Sequence, residues 1–198
     1  MPSKALLFAM AGLFFGCAHP IVITPDVSQI DRNEVRPIAC NVGYVITDAD
    51  RETSVETPGG GGDKVRYFPY KELDPALYKV MSNLFQRAYA MKSPTDAALV
   101  KAHDIQFIFV PKIRTDSSST GVFTWPPTDF RIDLTCTALN AEGKTIWEKT
   151  FTGAGHASFD EFKADLPLAA KRASLQVMQE LQRGLNAAPE LRPQAPQP

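Results

Sequence analysis

The residue types that could carry covalent or metal chemistry are few in this 198-residue sequence. The candidates are Cys17, Cys40, Cys136, His19, His103 and His156. No Cys-x-x-Cys or His-x-x-x-His spacing occurs, so the sequence predicts no metal site and no cofactor. No Gly-x-Ser-x-Gly frame surrounds a serine, so no nucleophilic serine is predicted. The predicted set of catalytic residues is therefore empty, and the protein is predicted not to be an enzyme.

Cys17 follows a segment with the composition of an export signal. Lys4 is the only charged residue before it, and Ala5 to Phe15 form an uninterrupted run of eleven apolar and glycine residues. A run of this length suits the apolar part of a signal peptide, and it is too short to span a bilayer as a helix. The sequence therefore predicts a signal peptide over residues 1–16.

The end of this segment, Leu13-Phe14-Phe15-Gly16-Cys17, resembles the lipobox of bacterial envelope lipoproteins. Gly16 and Cys17 match that motif, whereas Phe14 and Phe15 stand where it has leucine and a small residue. The resemblance implies cleavage before Cys17 and attachment of acyl chains such as palmitate to this residue. Several acyl chains bury enough methylene groups to hold a protein firmly in a membrane.

The residue after the cysteine bears on the destination of such a lipoprotein. In the resembled family an aspartate there favours the inner membrane, so Ala18 implies an outer-membrane anchor facing the periplasm. Two other interpretations of the segment remain open. Gly16-Cys17-Ala18 also fits the small-residue site of an ordinary cleaved signal, and the segment could stay uncleaved as an anchor.

The formal net charge of −1 argues against two classes of partner. A nearly balanced charge gives no electrostatic footprint for nucleic acid. It also gives no polybasic patch for anionic lipids, so attachment to a membrane depends on the N-terminal lipid.

Cys40 and Cys136 are the two cysteines left after lipidation. Each falls at an apolar-parity position of a predicted strand, so both thiols are expected to point inward. An even pair in an oxidising compartment allows a disulfide if the two strands are neighbours. Burial alone explains both residues equally well.

Two predicted loops are dense in aromatic residues and proline. They contain Tyr67, Phe68, Tyr70, Phe123 and Trp125. Exposed aromatic anchors are typical of the centres of protein interfaces, so these residues are the candidate partner surface. The alternative is that they fold back and cap the ends of the sheet or a helix. The four glycines that precede the first of these loops, Gly59 to Gly62, do not match a phosphate-binding loop and predict a flexible loop or a turn.

Periodicity predicts an α+β domain with the element order β-α-β-β-β-α. The predicted strands span residues 36–47, 104–115, 128–139 and 145–152, and the predicted helices span 71–91 and 159 or 166 to 185. Two amphipathic helices can cover one face of a four-stranded sheet, which gives a two-layer sandwich. The other face is expected to be partly wet.

The ends of the chain have a composition that differs from that of the predicted domain. Residues 17–35 are predicted to be a lipidated tether, 36–186 a single periplasmic domain, and 187–198 a Pro-rich disordered tail. This layout resembles the lipopolysaccharide-assembly lipoprotein and the auxiliary lipoproteins of envelope transport systems. The resemblance implies a non-enzymatic adaptor that binds an envelope protein partner. An envelope hydrolase or a small-ligand-binding periplasmic domain is the alternative.

Overall fold

The computed structural model describes residues 18–32, 36–119 and 125–192. The strands are β1 (Ala18–Pro20), β2 (Ile38–Val45), β3 (Val55–Pro58), β4 (Lys64–Tyr67), β5 (Phe85–Met91), β6 (Ile105–Ser118), β7 (Asp129–Asn140) and β8 (Thr145–His156). The helices are α1 (Asp48–Glu52), α2 (Pro69–Leu84), α3 (Ala97–Ala102), α4 (Phe159–Phe162) and α5 (Leu168–Ala187). The α+β class is confirmed.

The large sheet has five strands in the order β5-β2-β6-β7-β8, so the prediction of four strands is wrong. β2 runs parallel to both of its neighbours, whereas β6, β7 and β8 form an antiparallel meander. α2 and α5 pack together on one face of this sheet, as the two-layer prediction required. A second sheet, of three short strands in the order β1-β4-β3, lies outside the predicted architecture.

The fifth strand arises where the sequence predicts the end of a helix. α2 stops at Leu84, and Phe85 already has extended dihedral angles of −114° and 160°. Residues 85–91 then pair with the edge of β2. Phe85 and Met91 are both buried, on opposite faces of the large sheet. Pairing with β2 and burial of these two ends override the helical spacing, because local propensity is a weak determinant against tertiary contacts.

The helix layer lies unusually close to β8 because two glycines face α5. A Cβ atom at Gly153 would overlap the carbonyl oxygen of Ala173, and one at Gly155 would overlap that of Ala169. The small residues on both sides let the helix backbone approach the strand. This contact anchors α5 over the end of the meander.

The opposite face of the large sheet is divided into two halves. Near β5 and β2 it is apolar, and Val45, Met91, Ile105 and Ile108 form a small buried cluster against α3. Over β6, β7 and β8 the same face carries alternating polar side chains and is open. The expectation of a partly wet face is therefore correct for the meander.

Residues 18–32 pack into the domain, so the prediction of a tether over 17–35 is wrong for this part. β1 pairs with β4, and the N-terminal segment (residues 21–32) then crosses the helix layer. Ile21, Ile23 and Ile30 are buried in the main core. The carboxylate of Glu72 accepts a 2.5 Å hydrogen bond from the Ile23 backbone N–H. The segment packs despite its polar composition, because burial of three isoleucine side chains contributes enough hydrophobic free energy to hold it on the domain.

A polar clamp holds the far end of the N-terminal segment. The Asn83 side-chain amide donates hydrogen bonds to the carbonyls of Ile30 and Asp31 and to the Gln182 side-chain oxygen. The Gln182 amide donates in turn to the Asp31 carbonyl. Asn83 lies on α2 and Gln182 on α5, so the clamp joins both helices to the segment.

The C-terminal boundary also differs from the prediction. Pro189–Leu191 form a single 3-10 turn after α5, and the Leu191 side chain is fully buried in the main core. The tail prediction is therefore wrong for residues 187–192, because one apolar side chain fills the core beneath β8. Residues 193–198 lie outside the described part of the chain. Within the described ranges, no helix is both long and apolar enough to cross a membrane.

Candidate functional site

The predicted lipidation site, Cys17, and the predicted signal peptide, residues 1–16, lie outside the described residues. The first described residue is Ala18, which begins β1 and pairs with Lys64 of β4. The next residue, His19, stacks its ring on Trp125 with 4.3 Å between the ring centroids. His19 Nε2 also lies 3.4 Å from a carboxylate oxygen of Asp63. The chain is thus held by the fold from the residue that follows Cys17.

The glycine run is a turn that packs against Trp125. Gly61 and Gly62 have positive φ angles of 66° and 87°, a conformation that glycine adopts without steric cost. The Gly60 backbone N–H donates a 3.0 Å hydrogen bond to the Trp125 carbonyl, and a Cβ atom at Gly59 would overlap that carbonyl. The turn predicted for this run is confirmed, and the glycines have a structural explanation.

The predicted aromatic partner surface does not form as one surface. Tyr67 is 1% exposed, and its hydroxyl donates a 2.7 Å hydrogen bond to Thr115 Oγ1. The Tyr70 hydroxyl accepts a 3.1 Å hydrogen bond from the Ile113 backbone N–H. Both side chains fold back onto the sheet. Tyr67 is buried, so its assignment to a partner surface is wrong, whereas Tyr70 is half-buried and its role in binding a partner stays a prediction.

The other members of the predicted surface have different environments. Phe68 is half-buried at the start of α2, with Lys71 Nζ 5.9 Å from its ring centre. Trp125 is half-buried between His19 and the glycine turn. Phe123 lies outside the described residues. Phe68 and Trp125 keep some exposed surface, and their role in binding a partner stays a prediction.

Of the two alternatives for Cys40 and Cys136, the structure has burial without a disulfide, since both cysteines are free. β6 lies between their strands. Two strand spacings put the backbones about 10 Å apart, whereas a disulfide needs Cα atoms within about 7 Å. Both thiols do point inward, as the strand parity predicted. Burial raises the pKa of Cys40 to about 11 and that of Cys136 to about 12.

The open half of the sheet, which we call the polar face, carries polar side chains from three adjacent strands. It is a shallow depression of about 530 Å³ lined by Lys112, Arg114, Arg131, Asp133, Thr135, Thr137, Glu148, Thr150 and Thr152. Thr135 and Thr150 share a 2.7 Å hydrogen bond, and Thr137 donates a 2.7 Å hydrogen bond to Glu148. These cross-strand pairs hold the side chains in fixed positions.

Asp133 is the centre of the charged part of the polar face. It accepts hydrogen bonds from the Arg131 guanidinium at 2.9 and 3.1 Å and from the Thr152 hydroxyl at 2.5 Å. The Arg131 hydrogen bonds, followed by that of Thr152, lower the pKa of Asp133. Asp133 therefore stays ionised at neutral pH, and the face presents paired charges of both signs.

A second depression, of about 410 Å³, lies where the three strands of the polar face end near the glycine turn. His156 Nδ1 and Asp129 Oδ1 are 2.8 Å apart there. The hydrogen bond to His156 is the main reason why the pKa of Asp129 is lowered. The sequence offers His156 only as an isolated histidine and does not indicate Asp129 as its partner, because their pairing depends on the register of β7 against β8.

Asp129 of β7 pairs with His156 of β8 on one side and with Ser118 of β6 on the other. The three residues therefore form one row across the strands. The order of this row differs from that of a serine-histidine-aspartate triad, in which the histidine lies between the other two. Among the described residues, no three side chains of His, Cys, Asp or Glu lie together as a metal-binding group.

Three solved structures are similar to this one to different degrees. A Xanthomonas campestris protein described as a member of family DUF330 aligns with a TM-score of 0.51 and 16% identity, over 83% of this chain and 91% of that chain. A PelC dodecamer from Paraburkholderia phytofirmans gives a TM-score of 0.43 with 9% identity, over 79% and 93%. A Caulobacter crescentus protein provisionally described as a lipoprotein gives 0.34 with 12% identity, over 59% and 80%.

The first of these likenesses shows that the chain shares a fold with the DUF330 protein. The other two have TM-scores too low to carry an argument. No protein-family model matches the sequence, and no curated protein matches it. The resemblance to the lipopolysaccharide-assembly and transport-auxiliary lipoproteins therefore stays a prediction.

Proposed function

We propose that this protein is a cell-envelope lipoprotein, anchored through Cys17 in the outer membrane and facing the periplasm. Its folded domain binds a protein partner without catalysis, as an adaptor in envelope assembly or transport. The export-type segment and the lipobox-like end support the anchor. The fold shared with the DUF330 protein is compatible with this role but does not define it.

The observation that carries the adaptor role is the polar face beside a free strand edge. β8 is the outer strand of the large sheet, and no strand in the described part of the chain pairs with its outer side. The adjacent side chains are already paired with one another, so little side-chain entropy is lost when a partner covers them. Fixed charges of both signs would select a partner with the complementary pattern.

A photo-crosslinking amino acid placed on the polar face tests this proposal in cells. Position Thr150 is exposed at the centre of the face, and Tyr78 is a matched control that is 51% exposed on the helix layer. We expect a crosslink to one envelope protein from position 150, identified by mass spectrometry, and none to that protein from position 78. Equal crosslinking from both positions would remove the polar face from the proposal.

Reversal of charge on the face provides a second test. Lys112 and Arg114 are exposed on β6, next to the paired residues of β7. Their joint replacement by glutamate should reduce crosslinking from position 150, because like charges then oppose the partner's acidic groups. Replacement of Lys79 and Lys101 by glutamate changes the net charge equally at helical positions outside the polar face and should leave crosslinking unchanged.

A hydrolase or small-ligand-binding domain is the second candidate, favoured by the depression that holds Asp129 and His156. This role predicts that His156→Ala and Asp129→Asn abolish turnover of an ester or glycoside substrate while the fold is kept. The adaptor proposal predicts normal crosslinking from position 150 in the same variants. Turnover that depends on His156, together with no crosslink from position 150, would favour the second candidate.

A further inference from the structure

The connection between the predicted lipid and the fold is one peptide unit long. Residues 18–20 already form β1, which pairs in register with Lys64, Val65 and Arg66 of β4. One peptide unit spans about 3.8 Å between Cα atoms, whereas an 18-residue tether would reach tens of ångströms. A lipid on Cys17 would therefore hold the domain directly at the membrane surface.

The first residues of the fold are held too firmly to act as a hinge. After β1, the Ile21 backbone N–H donates a 3.0 Å hydrogen bond to the Arg66 carbonyl. The side chains of Ile21 and Ile23 are 5% and 0% exposed in the main core. The stack of His19 on Trp125 adds a contact between the entering strand and a distant part of the chain. The position of Ala18 relative to the domain is thus fixed.

The surface around Ala18 identifies which part of the domain would meet the lipid. We call it the entry end, formed by Ala18, Lys64, Trp125 and the turn Gly59–Gly62. Gly61, Gly62 and Lys64 are exposed there, and Trp125 is half-buried. The nearby carboxylate of Asp63 lies beside the His19 ring. A lysine, a tryptophan ring and an uncharged turn suit the headgroup layer of a membrane.

We propose that the entry end lies against the lipid headgroups of the membrane that holds the anchor, an inference that rests on the lipidation of Cys17 in the proposed function. The strands of the meander then run away from the membrane. Ser117 of β6 bonds to Thr57 beside the glycine turn, so this end of the meander lies at the entry end. The turn between β7 and β8 lies at the far end, about 35–40 Å away by the rise of twelve strand residues.

The two tryptophans of the sequence provide matched reporters of this orientation. Trp125 lies at the entry end, whereas Trp147 pairs with Ala138, nine residues along β7 from Asp129 and about 30 Å farther from the membrane. Trp147→Phe leaves only Trp125 to emit, and Trp125→Phe leaves only Trp147. Circular dichroism confirms that each variant is folded before its fluorescence is measured.

The experiment places the full-length lipidated protein in vesicles of phosphatidylethanolamine and phosphatidylglycerol that carry a nitroxide quencher on a fraction of the headgroups. We expect Trp125 to lose about half of its emission, because its ring lies in the headgroup layer. Trp147 should lose none beyond the loss seen in vesicles without nitroxide. Quenching of Trp147 equal to that of Trp125 would overturn the proposed orientation.

A linker insertion tests whether the short connection between Cys17 and the fold is the cause of the quenching of Trp125. Twenty glycine and serine residues placed between Cys17 and Ala18 should release the domain and restore the emission of Trp125. Quenching that persists in this variant would overturn the claim that the direct connection sets the orientation. The insertion changes no residue of the folded domain. A change in Trp125 emission therefore cannot come from disturbed packing of the domain.

Labelling with radioactive palmitate distinguishes failure of this inference from failure of the proposed function. A labelled protein in which Trp125 is not quenched keeps the lipoprotein proposal and overturns the orientation alone. A protein without label, or with label that survives Cys17→Ala, overturns the anchor and with it the orientation that rests on it.

Discussion

Cys40 and Cys136 are among the most deeply buried of the described residues. Cys40 is 2% exposed and Cys136 is fully buried, and burial raises the pKa of both thiols to about 11 and about 12. The thiolate is the reactive form, and it is scarce at neutral pH. Both residues therefore act as small apolar core residues that strand pairing keeps apart.

A thiol-reactive reagent such as dithionitrobenzoate should distinguish this state from a disulfide. The folded, lipidated protein should react at neither Cys40 nor Cys136, and the unfolded protein should react at both without a reductant. Cys17 contributes no thiol once its sulfur carries a lipid. Two thiols that appear only after reduction would show that the cysteines are paired and would contradict the strand order.

Glu161 is a carboxylate whose pKa is strongly lowered by its neighbours. The Arg172 guanidinium, followed by the backbone N–H and hydroxyl of Ser158, lowers its pKa to about 2. Arg172 also donates a 2.7 Å hydrogen bond to the His156 carbonyl at the end of β8. Glu161 thus connects the cap of α4 with α5.

The titration of Glu161 can be followed by the NMR signal of its carboxyl carbon. Its contribution to stability is present above the ordinary glutamate pKa and is lost as the pH falls towards about 2, because the folded pKa is the lower one. Arg172→Gln should raise the pKa of Glu161 towards the ordinary value. Arg183→Gln removes the guanidinium paired with Glu180 and should leave the Glu161 titration unchanged.

At the scale of elements, the contact between β8 and α5 depends on the absence of two side chains. Gly153 and Gly155 face the backbone of α5 near Ala169 and Ala173. The sequence shows the small residues of the helix stripe, but it does not show that they meet glycines on a strand. Close helix-to-strand packing here explains why α5 has the most extensive contacts of any helix with the sheet.

Gly155→Val should therefore destabilise the protein by about 1–3 kcal/mol or more, because α5 must move to admit the new side chain. Ala154→Val is the matched control, since Ala154 is exposed on the opposite face of β8. Its effect should stay within about 0.5 kcal/mol. Chemical denaturation of the two variants measures the difference, and equal stabilities would contradict the close packing.

At the scale of the whole molecule, the N-terminal segment is part of the domain and connects β1 with both large helices. Asn83 and Gln182 satisfy the carbonyls of Ile30 and Asp31. The hydrogen bond to the Ile30 carbonyl is buried and those to the Asp31 carbonyl are partly buried. Loss of the donors leaves the buried carbonyl without a partner, which is costly. The clamp thus couples the N-terminal segment to the helix layer.

Asn83→Leu should lower the free energy of unfolding by about 1–3 kcal/mol, since it keeps a similar volume but removes three donated hydrogen bonds. Gln179→Leu removes one exposed hydrogen bond to the Gln29 carbonyl and should cost much less. Hydrogen exchange should show faster opening of residues 21–32 in the first variant. Unchanged exchange there would contradict the role of the clamp.

The sequence by itself determined the features that depend on local periodicity. Alternation on β7 predicted that Phe130, Ile132, Leu134 and Cys136 face the core, and each of them is buried. The hairpin between β7 and β8 follows from a turn that ends in Gly143, whose φ is +81°. The amphipathic pattern of the last helix likewise matches the buried side of α5. Such patterns fix which side of an element is buried, because the period of a helix or strand is local.

Only the tertiary structure decided which elements are neighbours and in what register. β6 lies between the strands of the two cysteines, and residues 85–91 pair with β2 instead of extending a helix. Leu139 pairs with Thr145 and Ala138 pairs with Trp147, so β8 has one extra residue at this point. This shift in register places Asp129 opposite His156. Without it, Asp129 would lie opposite Gly155. Strand order and register depend on contacts between distant segments, which local patterns do not specify.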